Sequence, residues 1–249
     1  VKTIEESPDE AMPANPALMA EPWHYLNKLP ELLSPEVASR KVRILDLGAG
    51  AGQSRKIARE ALGPGRFEWT GVDIGDSAEH LGRKPDAPPV DVYDGVNLPY
   101  ADASFDVIWC KQVLEHVRQP DAVIAEVARC LRPEGLFIGS VSQLEPYHSR
   151  SIFNWTHYGI RRVLADHGLE VTELTPGVDG LVLIMRTIFG YSGGINKFFA
   201  KDSPFQVLLH ALFDRNDGPE EGRSVATWRH KIKTAGHLHF LARKTGADS

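Results

Sequence analysis

The stretch Val42-Arg43-Ile44-Leu45-Asp46-Leu47-Gly48-Ala49-Gly50-Ala51-Gly52-Gln53 constrains the chain most. It opens as a short apolar, β-branched run, the pattern of a buried strand. Glycine then takes alternate positions, and Ile57, Ala58, Ala61 and Leu62 follow on one helical face. Strand, tight turn and helix therefore succeed one another. Glycines let a ligand approach bare backbone, and the new helix offers unpaired N–H groups in its first turn. The dinucleotide fingerprint G-x-G-x-x-G fails in both registers, because Gln53 or Arg55 stands where its last glycine belongs. Asp46 ends the strand with a carboxylate. A pyrophosphate is unwelcome there, whereas a ligand carrying an ammonium and a sulfonium is attracted.

The remaining chain alternates strands and helices in a way that fits a doubly wound sheet. Strands are predicted at 67–74, 90–93, 105–110, 136–141, 169–175 and 237–244, and a helix at 120–131 with Pro120 in its first turn. Thr156 reads as the N-cap of another helix, with Ile160, Val163, Leu164 and His167 as its stripe and Gly168 closing it. Asp73 ends the second strand about 20 residues after the glycines, where such sheets place an acidic residue beside ribose hydroxyls.

D-x-G-x-G-x-G from Asp46 to Gly52 resembles motif I of the class I S-adenosylmethionine-dependent methyltransferases. Residues 94–108 resemble the same family's D-x-x-x-L-P-F-x-D-x-S-F-D-x-V segment, and 111–117 its short helix after the fourth strand. The resemblance implies a Rossmann-like, doubly wound α/β sheet of seven strands, the last antiparallel, with helices on both faces. S-adenosyl-L-methionine is the implied cofactor and S-adenosyl-L-homocysteine the product. Cofactor contacts are implied at Asp46, Gly48, Ala49, Gly50, Gln53, Asp73 and Ile74. Asp94 would accept from the adenine amino group, the Gly95 N–H would meet a ring nitrogen, and Cys110 and Lys111 would border the methionine end. In this family the L-E-H-V run holding His116 is a structural element.

The loop after the fifth strand, 143–159, is dense in aromatic and hydrogen-bonding side chains, which suits a polyhydroxylated acceptor. It resembles a loop of bacterial methyltransferases of glycan and natural-product pathways, possible relatives including the mycobacterial mannoside O-methyltransferases. Tyr147, Arg150, Asn154, Trp155 and Tyr158 are the candidate substrate contacts. A hydroxyl needs a base to become a nucleophile, and a histidine suits that task near neutral pH. His148, in this loop and outside any helical stripe, is the favoured general base, with His157 second. No metal-ligand spacing stands out.

Residues 1–22 read as a flexible tail before one methyltransferase domain over 23–249. Helical residues 23–38 form either a lid or a helix packed on the sheet. A helical insertion is expected at about 177–235, covering the cleft, making a homodimer contact or packing on the domain. A net charge of -5 argues against a general nucleic-acid binder. Cys110 and Cys130 read as buried free thiols, which with no leader pattern and no apolar run long enough for a membrane span points to a cytoplasmic protein. The leading reading is an O-methyltransferase of a sugar or glycoside, taking a small-molecule or oligosaccharide acceptor. Methylation of a quinone, lipid or other apolar acceptor, or a non-catalytic cofactor-binding partner protein, are the alternatives.

Overall fold

A computed structural model describes residues 23–190, 193–199, 201–213 and 220–246. The expected tail, 1–22, lies outside these residues. Seven strands form a single sheet: β1 (Val42–Leu47), β2 (Phe67–Ile74), β3 (Val90–Tyr93), β4 (Phe105–Lys111), β5 (Leu131–Ser142), β6 (Leu169–Pro176) and β7 (His237–Lys244). Their order is β3-β2-β1-β4-β5-β7-β6. The first five pair in parallel, and β7 runs antiparallel to both its neighbours. The order reverses beside β1, so the crevice where doubly wound sheets bind ligands opens over the ends of β1 and β4.

Both faces of the sheet are covered, which is why its strands read as continuous apolar runs. Alternate residues go to opposite sides. Ile44, Val107, Trp109, Leu136 and Ile138 share one core with Tyr25, Leu26, Leu29 and Ala58. Leu45, Leu47, Ile108, Cys110 and Phe137 share the other with Ile124, Leu164 and Trp228. The first layer is made by α1 (His24–Asn27), α2 (Leu29–Leu32) and α4 (Gln53–Leu62), with α3 (Pro35–Ala38) leading into β1. The opposite layer is α6 (Pro120–Cys130), α7 (His157–Asp166) and α11 (Glu220–Thr234). α5 (Ala78–Leu81) is a single turn after β2.

Residues 23–38 pack on the sheet. Tyr25 is buried and its hydroxyl meets Thr175 Oγ1 at 2.6 Å, while Trp23 stacks on Trp109 with ring centroids 5.5 Å apart. Thr156 caps α7 as its sequence position suggests, accepting from the Gly159 N–H at 2.9 Å. Cys110 and Cys130 are buried free thiols. Between β6 and β7 lie α8 (Gly180–Phe189), α9 (Gly193–Asn196), a 3₁₀ turn (Lys197–Phe199), α10 (Pro204–Phe213) and α11. Among the described residues no helix is long and apolar enough to cross a membrane.

Two local expectations change. Residues 132–135 do not separate a helix from a strand starting at 136. They bulge out within β5, with Glu134 at φ 61°, where pairing to β4 shifts between Phe105 and Val107. Of residues 111–117, expected as a short helix, Lys111 ends β4 and 113–116 make one turn, closed by His116 N–H to Val113 O at 2.9 Å. Gln112 sits at φ 54°, and the Glu115 carbonyl is taken by the N–H groups of Ile152 and Phe153, at 2.7 and 3.1 Å. A helix cannot propagate through a carbonyl already engaged elsewhere.

Candidate active site

The turn after β1 hangs on β2. Gly48 and Ala49 donate their N–H groups to Val72 O at 2.8 and 3.1 Å. Gly48 and Gly50 adopt φ of 72° and 47°, a region costly for residues with a Cβ. A Cβ on Gly48 would stand 2.3 Å from Val113 Cγ2, so the turn also brings the β4 loop close. Gly52, at φ 74°, is the N-cap of α4, and Gln53 is its exposed first residue.

Two buried carboxylates flank this turn on adjacent strand tips. Asp73 Oδ2 accepts from Gly50 N–H and Oδ1 from Ile74 N–H, both at 2.8 Å. Asp46 is held by the Ser54 hydroxyl, which in turn accepts from Trp69 Nε1–H at 2.8 Å. Burial raises the Asp46 pKa to about 7; Ser54 and Lys111 pull against this, and the charge of Asp73 adds to it. A pair of desolvated carboxylates over a glycine cradle fits a cationic ligand, which explains why such costly groups are tolerated there. Ser54 and Trp69, which position Asp46, escaped the sequence reading because each also fits ordinary helix or strand patterning.

The other cofactor candidates fall around the same crevice. Ile74 is exposed at the β2 tip. Asp94 is exposed and binds its own loop, Oδ1 accepting from Val96 and Asn97 N–H at 2.8 and 2.7 Å, and Oδ2 from Asn97 Nδ2 at 2.7 Å. This turn shapes the loop and puts Gly95 at φ 86°. Cys110 is fully buried, and Lys111 extends over the Trp23 ring, Nζ 4.9 Å from its centroid. Burial lowers the Lys111 pKa, while the carboxylates of Asp46 and Glu115 oppose that shift.

The loop after β5 is tied to the β4 turn by the two bonds onto Glu115 O and to its own strand by Trp155 N–H to Ser142 O at 2.7 Å. That folding sets His148 edge-on to His116, ring centroids 5.2 Å apart. His148 Nδ1 lies 3.4 Å from Glu145 Oε2, which also takes His237 Nε2–H at 2.8 Å and the Ser142 hydroxyl at 2.5 Å. Burial works to raise the Glu145 pKa, yet His237, Ser142 and His148 together hold it below the ordinary value. Fully buried Glu115 contacts Ser142 Oγ at 3.0 Å through Oε1, and burial pushes its pKa up to about 7. Among the described residues, Glu115, His116 and His148 each offer a possible ligand atom within 4.8 Å of the others.

The acceptor candidates divide. Tyr147 and Arg150 are exposed on the loop and Tyr158 in the first turn of α7; Asn154 is exposed too, its Nδ2 donating to Glu145 O at 3.0 Å. Trp155, expected at the acceptor, is 9% exposed and belongs to the core beneath the sheet, where it packs the loop down. His157 begins α7, and its N–H donates to Gln143 Oε1 at 2.9 Å. Glu115, Glu145 and His237 were missed. The alternation on β7 was visible, but not the register that sets His237 opposite Ser142.

Residues 45–139 match the family model for a methyltransferase domain. The 27-O-demethylrifamycin SV methyltransferase of Amycolatopsis mediterranei is 35% identical over 100 residues, 37% of this chain and 36% of that protein. The phosphatidylethanolamine N-methyltransferase of Cereibacter sphaeroides is 27% identical over 60% of this chain and 81% of its own. The chain spans about a third of the length of several other curated relatives that it matches. Among solved structures, Haemonchus contortus phosphoethanolamine N-methyltransferase 2 in complex with S-adenosyl-L-methionine is similar in fold, at a TM-score of 0.51 and 19% identity. That alignment covers 83% of this chain and 49% of that one. Residues 45–139 thus form a methyltransferase domain, and the seven-stranded sheet with antiparallel β7 and the glycine turn between two strand-tip carboxylates give the chain the fold and cofactor crevice that the class I S-adenosylmethionine-dependent methyltransferases share.

Proposed function

We propose that the chain methylates a hydroxyl of a sugar or related glycoside, bound over the β4 and β5 tips. The single observation that carries this reading is the segment after β5, which leaves Tyr147, Arg150 and Asn154 exposed on the loop that holds His148, with Tyr158 exposed in the first turn of α7. Aromatic faces stack on the apolar side of a sugar ring, and the amide and guanidinium read its hydroxyls or an acidic substituent. Asp46 and the Gly48–Gly50 backbone hold the cofactor's charged end, Asp73 and Ile74 border its ribose, and Asp94 and Gly95 its adenine. Gln53 and Ala49 line the turn, and Cys110 and Lys111 lie on the methionine side. When bound, S-adenosylmethionine supplies an electrophilic methyl whose bond to sulfur breaks as the bond to the acceptor oxygen forms. The metal-free protein sends the acceptor's proton to the His148 imidazole, which Glu145 orients. The loop bonded onto the β4 turn shields the crevice from water and aligns the reacting atoms, the main sources of acceleration for such a displacement.

The test is methyl transfer to a panel of mannosides and other glycosides, alongside quinols, phenols and aminolipids. Wild type should methylate glycosides, and His148→Ala should keep cofactor affinity while losing turnover by about 10²–10⁴-fold. Near wild-type turnover in that variant refutes the role of His148, and transfer confined to apolar acceptors refutes the sugar reading. A second reading, an apolar or lipid acceptor, is favoured by the exposed Leu181, Ile184, Ile188 and Phe189 of α8. It is the arm of the panel that the quinols and aminolipids probe. The same apolar residues would suit a homodimer contact.

A further inference from the structure

We propose that Glu115, His116 and His148 bind a divalent first-row transition-metal cation beside the cofactor crevice. The three residues come from two segments, the turn after β4 and the loop after β5. The bonds from Ile152 and Phe153 N–H to Glu115 O fasten one segment to the other. Each residue offers a possible ligand atom, and these atoms lie within 4.8 Å of one another. A cation with bonds of about 2.1 Å sets its ligand atoms about 3–4 Å apart, so small side-chain rotations complete the set.

A second observation points to a ligand. Among the described residues, fully buried Glu115 leaves its Oε2 without a hydrogen-bond partner and His116 Nδ1 is buried without one, while His148 Nδ1 makes no hydrogen bond and has only the 3.4 Å approach of Glu145 Oε2. Native interiors rarely leave such atoms unpaired, and a cation set among Glu115 Oε2 and the two imidazoles would satisfy them together. The surroundings are those of a supported metal site. Ser142 contacts Glu115 Oε1 at 3.0 Å, and Glu145, anchored by His237, stands 3.4 Å from His148 Nδ1, where it holds that ring when Nε2 is the ligand atom. Carboxylates and hydroxyls that hold ligands in place are the usual outer shell of such centres.

The donor set identifies the class of ion. Two imidazoles and one carboxylate favour zinc, manganese, iron or cobalt over magnesium or calcium, which prefer oxygen. Three protein ligands leave positions open for an acceptor oxygen, and a bound hydroxyl becomes more acidic. This catalytic role rests on the hydroxyl-acceptor reading; the binding does not. In the loaded protein His148 is a ligand, the acceptor O–H bond breaks and its proton passes to solvent. The oxygen–methyl bond forms, the sulfur–methyl bond breaks, and the cation keeps its oxidation state.

Tag-free, chelator-treated full chain is titrated with Co²⁺, followed by visible absorption and calorimetry, with Zn²⁺ as competitor. One equivalent should bind with a cobalt ligand-field spectrum. Glu115→Gln and His148→Ala should each weaken binding more than about 100-fold while retaining S-adenosylmethionine affinity as proof of folding. Absence of stoichiometric binding, or equal binding by wild type and His148→Ala, overturns the proposal. Saturable cobalt binding lost in both variants, with no transfer to any hydroxyl acceptor, upholds the cation site and refutes the acceptor reading. Glycoside methylation at full rate in chelated protein that binds no cobalt upholds the acceptor reading and refutes the cation site.

Discussion

Cofactor binding should release a proton from Asp46. In the free protein, burial holds its pKa at about 7. The cofactor brings an ammonium and a sulfonium to a carboxylate that, among the described residues, has the Ser54 hydroxyl alone as hydrogen-bond partner, and so selects the ionised form. If the carboxylate is fully ionised in the complex, affinity falls about twofold below its plateau at pH 7 and about tenfold at pH 6, since each pKa unit is worth about 1.4 kcal/mol. The cofactor's own amine titrates near about 7.7–8.0, so measurements belong between about pH 5.5 and 7.5. Calorimetry in two buffers of unlike ionisation enthalpy counts the protons directly. Asp46→Asn should bind weakly and lose the pH slope, which separates Asp46 from Glu115, raised to about 7 as well. For stability the sign follows from a folded pKa above the unfolded value of about 3.9. The contribution is fully present below that value and is lost as pH rises through about 7. Added cofactor offsets the loss, so its increment in Tm should grow with pH. Constant affinity across the window without proton release, or an unchanged slope in Asp46→Asn, would refute the reasoning.

Gly48→Ala should cost at least about 1–2 kcal/mol from backbone strain alone, and more as its Cβ displaces Val113 from 2.3 Å; urea unfolding and cofactor titration would show both losses together. Asp106 is buried, its Oδ1 taking Arg40 and Arg132 at 2.6 and 3.0 Å, and its Oδ2 the Arg43 N–H at 2.9 Å. Asp106→Asn should therefore cost about 2 kcal/mol, less than a wholly buried pair because both guanidiniums are about a third exposed. Burial works against ionisation of Asp106, but the Arg40 and Arg43 bonds and the Arg132 charge win and depress its pKa. Its contribution is present above the unfolded value of about 3.9 and is lost as pH falls through the folded one, so the gap in urea midpoint between wild type and variant should close on acidification. Trp155→Ala should cost about 3 kcal/mol in unfolding experiments, whereas Tyr158→Ala should raise the acceptor KM with stability within about 0.5 kcal/mol of wild type.

The cofactor side was legible because its parts are local. Asp46, Gly48 and Gly50 belong to one strand–turn–helix unit, and the glycine spacing with the following helical stripe already implies which backbone faces the ligand. Both faces of β1 and β4 are buried, so their apolar runs read directly as central parallel strands. The acceptor side has no such unit. Trp155 and Tyr158 stand three residues apart in one polar stretch of sequence, yet the first enters the core and the second stays exposed in the first turn of α7, while the Ser142 contact holds Trp155 down. His116 read as structural and His148 as chemical; nothing local to either indicates that their rings meet. Their meeting depends on Glu115, whose carbonyl abandons helical bonding to hold Ile152 and Phe153, and whose carboxylate faces Ser142. The same bonds that stop a helix from forming after β4 therefore assemble the acceptor side. A substitution that restored helix there would separate Glu115 from His148 while leaving the glycine turn on β2 untouched.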